Sequence, residues 1–200
     1  MNQTGFWWIL LAGAVYGIIH SLTASLKAKE LAFRLFGEPG KRFYRLGYNL
    51  LSLITTPLYL VLIVLLPDER IYTIQPPWIY LTLILQLEAA ILLVVSFKGT
   101  GLVPFLGLDG FSKSNMSTRP NTLVKTGFYK YSRHPIYFFS LVILWLIPIM
   151  TWNILSFAFG VTAYTLIGSL FEERKLALEF GQEYIDYRKR TSWIIPIKLK

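Results

Sequence analysis

Five apolar stretches constrain this chain more than any other feature, because each approaches the roughly 20 residues that an α-helix needs to cross a bilayer. They run over residues 6–26, 46–66, 78–97, 136–150 and 154–170. The last two are short, and only Thr151, Trp152 and Asn153 separate their helical cores, which predicts a tight helical hairpin. The expected fold is an all-α integral membrane protein with about five transmembrane helices, followed by an amphipathic interfacial helix. It is read as a single domain over 1–200, with three spans in 1–97 and a loop, hairpin and C-terminal helix in 98–200. The first stretch has no basic residue before it and no small-residue cleavage site, so it reads as a retained span and not a signal peptide. At 54% hydrophobic residues, the composition agrees with a membrane protein.

Charge placement orients these spans. Lys and Arg outside them number none, six, one, six, none and seven in chain order, so 19 of the 20 fall in alternate segments. The positive-inside rule makes that side cytoplasmic, with the N-terminus outside and the C-terminus inside, in a cytoplasmic membrane. The net charge of +9 is then a topology signal together with attraction to anionic membrane lipids. No nucleic-acid partner is needed to explain it. There are no cysteines, which excludes disulfides, thiolate metal sites and a Cys nucleophile. With His20 and His134 the only imidazoles, no metal site is expected.

Residues 98–135 form the longest segment between spans, and long segments of this kind are usually functional or disordered. Leu123, Val124, Phe128 and Tyr129 near its end can pack, so an ordered lid or cofactor loop is expected. After the fifth span, Leu176, Phe180, Tyr184 and Tyr187 recur at helical spacing with charges elsewhere around the wheel. That pattern predicts an amphipathic helix lying along the inner interface.

Two places carry candidate chemistry. In YKYSRHPIYF, residues 129–138, Pro135 suits the first turn of a helix, and the N–H groups of that turn with Arg133 and His134 would attract a carboxylate or phosphate. Lipid-facing anchoring is the plainer alternative. At the end of the fifth span stand Glu172 and Glu173; adjacent carboxylates at a membrane edge are costly unless they meet a polar cavity or a cation. Gly160, Tyr164, Gly168 and Glu172 share one helical stripe, which leaves room for a helix or a ligand. Glu173, beside Arg174, is expected to be solvated. Cationic donors on one span and a carboxylate on the next match a zwitterionic amino-acid moiety. Glu88 and Gln86, in the middle of the third span, either line an acceptor pocket or bond a neighbouring helix, and His20 reads as helix–helix glue.

The stretches NTLVKTGFYKYSRHPIY and EERKLALEFGQEYIDYRKR…IP resemble the isoprenylcysteine carboxyl methyltransferase superfamily over residues 121–196, including its bacterial methanethiol-methylating and NnrU-like branches. WLIPIMTWNIL…TAYTLIGSLFEERKL is most similar to the methanethiol-methylating branch. The resemblance implies S-adenosyl-L-methionine as cofactor, held by Asn121 (where relatives often carry His), Leu123, Val124, Tyr129, His134, Pro135, Tyr137 and Glu172. Arg133 and His134 are the candidates for assisting catalysis, and Gly168 and Glu88 for the substrate pocket. Superfamily members that methylate a prenylcysteine carboxylate carry Arg where this chain has Gly168. A carboxylate acceptor would lose its charge partner there, so the implied acceptor is neutral, small or lipid-soluble, and of the thiol type. The alternatives are a phospholipid N-methyltransferase and a non-catalytic or haem-binding NnrU-like membrane protein.

Overall fold

The computed structural model describes residues 4–97 and 122–197. Helices α1 (Phe6–Thr23) and α2 (Leu26–Leu65) lead to a short strand β1 (Arg70–Thr73) and helix α3 (Trp78–Phe97). A 3-10 turn (Gly127–Lys130) precedes α4 (Pro135–Trp145), strand β2 (Ile149–Thr151), α5 (Trp152–Phe180) and α6 (Gln182–Arg190). The strands pair as a two-stranded sheet, and the other named elements among the described residues are helical. Helices α1, α2, α3 and α5 are long and apolar enough to cross a membrane. Their outward side chains, such as Trp7, Val64 and Leu87, are large, apolar and exposed, as lipid-facing helices require.

The fourth apolar stretch is the exception. Helix α4 has 11 residues and ends at Trp145, a length of about 16 Å against a hydrocarbon core of about 30 Å. Pro148 explains the stop, because it disfavours helical backbone at Ile147, and the following residues enter β2. The connection to α5 is therefore residues 146–151 and not Thr151–Asn153. Helices α4 and α5 still pair antiparallel: Tyr137 meets Glu172 at one end, and the Trp145 indole donates to the Thr162 hydroxyl at the other.

The described residues form two compact units, 4–69 with 151–161 and 70–97 with 122–150 and 162–197. In the first, Gly37 adopts φ 65° and ψ −147°, which breaks α2 into two helical pieces; only glycine adopts that backbone readily. The basic segment 27–45 is thus helical rather than a loop. Between α1 and α2 the Tyr16 hydroxyl lies 2.6 Å from Thr56 Oγ1 and 3.1 Å from His20 Nε2, which is 2.8 Å from Ser52 Oγ. His20 is buried helix–helix glue. Asn153, fully buried, donates from Nδ2 to the carbonyls of Ile63, Leu66 and Pro67, which closes the C-terminus of α2.

In the second unit Gln86 donates to the Ile143 carbonyl at 2.8 Å, so it ties α3 to α4. Gly181 (φ 55°) ends α5 and separates it from α6. The expected amphipathic helix is consequently two pieces. The aromatic face of α6 is buried in protein: Tyr184 is 1% exposed, and the Tyr187 hydroxyl donates to the Tyr129 carbonyl at 2.6 Å.

Candidate functional site

The site is built where α4 begins. Helix α4 opens with His134 at the N-cap and Pro135 in its first turn, and the His134 side chain makes no capping bond. The segment 191–195 supplies what the local sequence lacks. Ser132 and Ser192 form a parallel bridge, the Arg133 N–H donates to the Ser192 carbonyl at 2.9 Å, and the His134 N–H donates to that of Trp193 at 3.2 Å. The buried Ser132 hydroxyl lies 3.1 and 2.8 Å from the Trp193 and Ile194 carbonyls. The Arg133 and His134 N–H groups are thus taken up by the protein's own backbone, the latter also lying 3.1 Å from Ser132 Oγ.

Arg133 is committed in three directions. Its Nε donates to Glu173 Oε1 at 2.6 Å, and its Nη1 donates to the Arg188 and Thr191 carbonyls. Glu173 is buried in this pairing, with its side chain 9% exposed, and is not the solvated residue expected beside Arg174. Its neighbour Glu172 is 46% exposed, accepts the Tyr137 hydroxyl at 2.8 Å, and faces His134 Nδ1 at 3.5 Å. The imidazole stacks on the Tyr137 ring with 5.2 Å between centroids and planes 7° apart. On its far side His134 Nε2 lies 3.5 Å from Glu173 Oε1 without hydrogen-bond geometry, and is buried. One imidazole therefore sits between an accessible carboxylate and an enclosed one.

The structure brings Tyr129, Arg133, His134, Pro135, Tyr137 and Glu172 into this unit. Burial, and then the Glu172 carboxylate, push the Tyr129 phenol up to about 12, so it stays protonated at neutral pH. Tyr184 is held at about 12 mainly by burial, and its hydroxyl finds no partner among the described residues. Leu123 and Val124 are half-buried, while Asn121 lies outside the described residues. A Cβ placed on Gly168 would meet nothing within 4 Å, so the stripe one turn before Glu172 is open. Glu88 is exposed on α3 and does not join this cluster. An apolar cavity of about 190 Å³, lined by Phe128, Pro135, Phe138, Phe139 and Pro196 among others, lies on the opposite face of α4 from Tyr137. Among the described residues no group of three His, Cys, Asp or Glu is arranged to hold a metal ion.

Sequence reasoning missed Glu173, Ser132 and the segment 191–195. No periodicity marks them, because each acts through a partner some 40 to 60 residues away in sequence.

Comparison with known proteins adds a second line. Methanethiol S-methyltransferase 1 of Bradyrhizobium diazoefficiens is 29% identical over 197 residues, which covers 94% of this chain and 65% of that protein. Methanethiol S-methyltransferase 2 of the same organism is 34% identical over 108 residues, 52% of this chain and 42% of that protein. Methanethiol S-methyltransferase of Mycobacterium tuberculosis is 34% identical over 102 residues, 48% of this chain and 42% of that protein. The chain thus spans between 42% and 65% of the length of these relatives. No solved structure matches. The relatives agree with the methanethiol-methylating branch that residues 121–196 resemble. A family described as a protein of unknown function, DUF1295, matches residues 48–189, and the chain belongs to that family.

Proposed function

We propose that this protein is a membrane methyltransferase that moves a methyl group from S-adenosyl-L-methionine to a small or lipid-soluble neutral acceptor, a thiol. The observation that carries the reading is Glu172, a half-exposed carboxylate fixed by Tyr137 beside the open position at Gly168. A carboxylate so placed suits the ammonium of a methionyl group, and the space beside it suits a ligand. The residues present therefore fit the cofactor. When bound, it supplies an electrophilic sulfonium methyl group.

Each residue then has a task. Glu172 holds the ammonium, and Tyr137 keeps that carboxylate pointed by donating to Oε2. His134 supports both, through its stack on Tyr137 and the Nδ1 that faces Glu172. Leu123, Val124 and Tyr129 contribute apolar contact and exclude water, which raises the reactivity of a bound thiolate. Asn121 completes the cofactor set, and Gly168 lines the acceptor path. Positioning and water exclusion account for most of the catalysis, because in-line transfer from a sulfonium demands little covalent help. Gly168 leaves no cation where a carboxylate acceptor would need one, so the acceptor is neutral before it loses its proton.

The charge asymmetry between alternate segments supports an orientation with the N-terminus outside, and the C-terminus and the site at the cytoplasmic face of the inner membrane. The methanethiol S-methyltransferases among the relatives point to methanethiol as the first acceptor to try. Calorimetry with S-adenosylmethionine and methyl-transfer assays with methanethiol, longer alkyl thiols and phosphatidylethanolamine test the reading. Binding of the cofactor with turnover of a thiol is the expected result. No cofactor binding overturns it, and turnover of the phospholipid alone reassigns the acceptor.

A further inference from the structure

We propose that residues 188–195 form a latch that positions the start of α4, and that Glu173 is the positioning residue on which this latch closes. The inference rests on the methyl-transfer reading only for its effect on ligand affinity. At the start of α4 the His134 side chain makes no cap and Pro135 has no N–H, and the local side chain that meets the His134 N–H, Ser132 Oγ at 3.1 Å, is itself bonded to the Trp193 and Ile194 carbonyls. The orientation of the helix start is set from outside. The Ser192 and Trp193 carbonyls receive the Arg133 and His134 N–H groups, and the Trp193 indole donates to Ser169 Oγ at 3.1 Å. Ser169 follows Gly168 directly and is fully buried. One segment thereby touches both the helix that carries His134 and the helix that carries Glu172.

The fastening of that segment is ionic. The Arg133 guanidinium joins Glu173 on α5 to the carbonyls of Arg188 and Thr191, so helix and latch are held through a single side chain. Both partners are nearly enclosed, at 11% and 9% side-chain exposure. A buried pair of this kind is tolerated when its hydrogen bonds are well made, and losing one partner leaves an uncompensated charge. Glu173 also stands 3.5 Å from His134 Nε2, so any displacement of its carboxylate bears directly on the imidazole that supports Glu172. The two adjacent glutamates thus divide the work. Glu172 meets the ligand, and Glu173 holds the frame that aims it.

The test compares Glu173→Gln with Glu172→Gln in the full chain, in detergent, by hydrogen exchange and by binding of S-adenosylhomocysteine. With Glu173→Gln, exchange at the Arg133 and His134 amides accelerates by roughly two orders of magnitude, while α3 keeps its protection. Affinity for S-adenosylhomocysteine falls about tenfold or more. Glu172→Gln loses affinity but leaves those two amides protected. Trp193→Phe, which removes the indole bond together with part of the ring, is the milder variant: it accelerates the same amides severalfold and keeps the chain folded. Unchanged exchange in Glu173→Gln and Trp193→Phe overturns the latch, and so does equal loosening by Glu172→Gln. If the unaltered protein binds no S-adenosylhomocysteine, the methyl-transfer reading fails, and the exchange results still decide the latch.

Discussion

Glu172 and Glu173 are neighbours in sequence and opposites in environment, because successive residues on a helix point about 100° apart. The stripe of Gly160, Tyr164, Gly168 and Glu172 is legible at helical spacing, and it does lead to the accessible carboxylate. Glu173 was not legible, since the charge that makes its burial tolerable belongs to Arg133, 40 residues earlier. Glu172→Gln removes the charge proposed to meet the cofactor ammonium, and is expected to weaken S-adenosylmethionine binding by roughly 1.5–3 kcal/mol, about tenfold or more. Calorimetry on the purified variant measures this, and an unchanged Kd would remove Glu172 from the site. Tyr137→Phe takes away one hydrogen bond to that carboxylate and keeps the ring that stacks on His134. A smaller loss follows, about 1 kcal/mol, read as a severalfold rise in KM for the cofactor with kcat nearly kept. Gly168→Leu gives a third readout at this scale. The added side chain starts in open space, so thermal stability is retained while kcat/KM for methanethiol drops.

The helices themselves were readable from hydropathy, and α3 matches its apolar stretch residue for residue. What hydropathy cannot show is where a proline or glycine overrides it. Pro148 cuts α4 short by restricting the backbone before it, whereas Gly37 bends α2 and Gly181 divides α5 from α6 by adopting positive φ, and none of the three acts through apolar content. The tertiary role of Asn153 was equally hidden, because a lone Asn between two apolar runs looks like a turn residue. It instead satisfies three carbonyls at the end of α2, while its own N–H donates to Asp68 Oδ1 at 3.0 Å. Asn153→Leu keeps the volume and removes the donor to the Ile63 and Leu66 carbonyls, whereas the Pro67 carbonyl keeps the Gly5 N–H, at a cost of about 3 kcal/mol. A clear fall in Tm in detergent is the expected outcome. An unaltered Tm would show that solvent or lipid head groups satisfy the end of α2 unaided.

At the scale of the whole molecule, the alternation of charge is the strongest constraint on how the chain lies in the bilayer. Segment 67–77 carries one basic residue, whereas 27–45 and 171–200 carry six and seven. Moving such clusters across the membrane would be opposed at each Lys and Arg, so the sparse segment is the one expected to be translocated. A soluble, charged methyl donor requires its site on the cytoplasmic side, and the site residues lie next to the cation-rich segments in sequence. The chain has no cysteine, so single-cysteine variants report their location without background. Exposed positions serve: Glu69 between α2 and β1, Glu38 after the bend in α2, and Lys189 on α6. In intact cells a membrane-impermeant maleimide is expected to label Glu69→Cys and to spare Glu38→Cys and Lys189→Cys, both of which label once the membrane is permeabilised. The reverse pattern would invert the topology and put the carboxylate of Glu172 on the side that lacks cofactor. Labelling of Glu38→Cys with Glu69→Cys in intact cells would instead mean that the second half of α2 does not span, leaving two crossings before the site where three are expected.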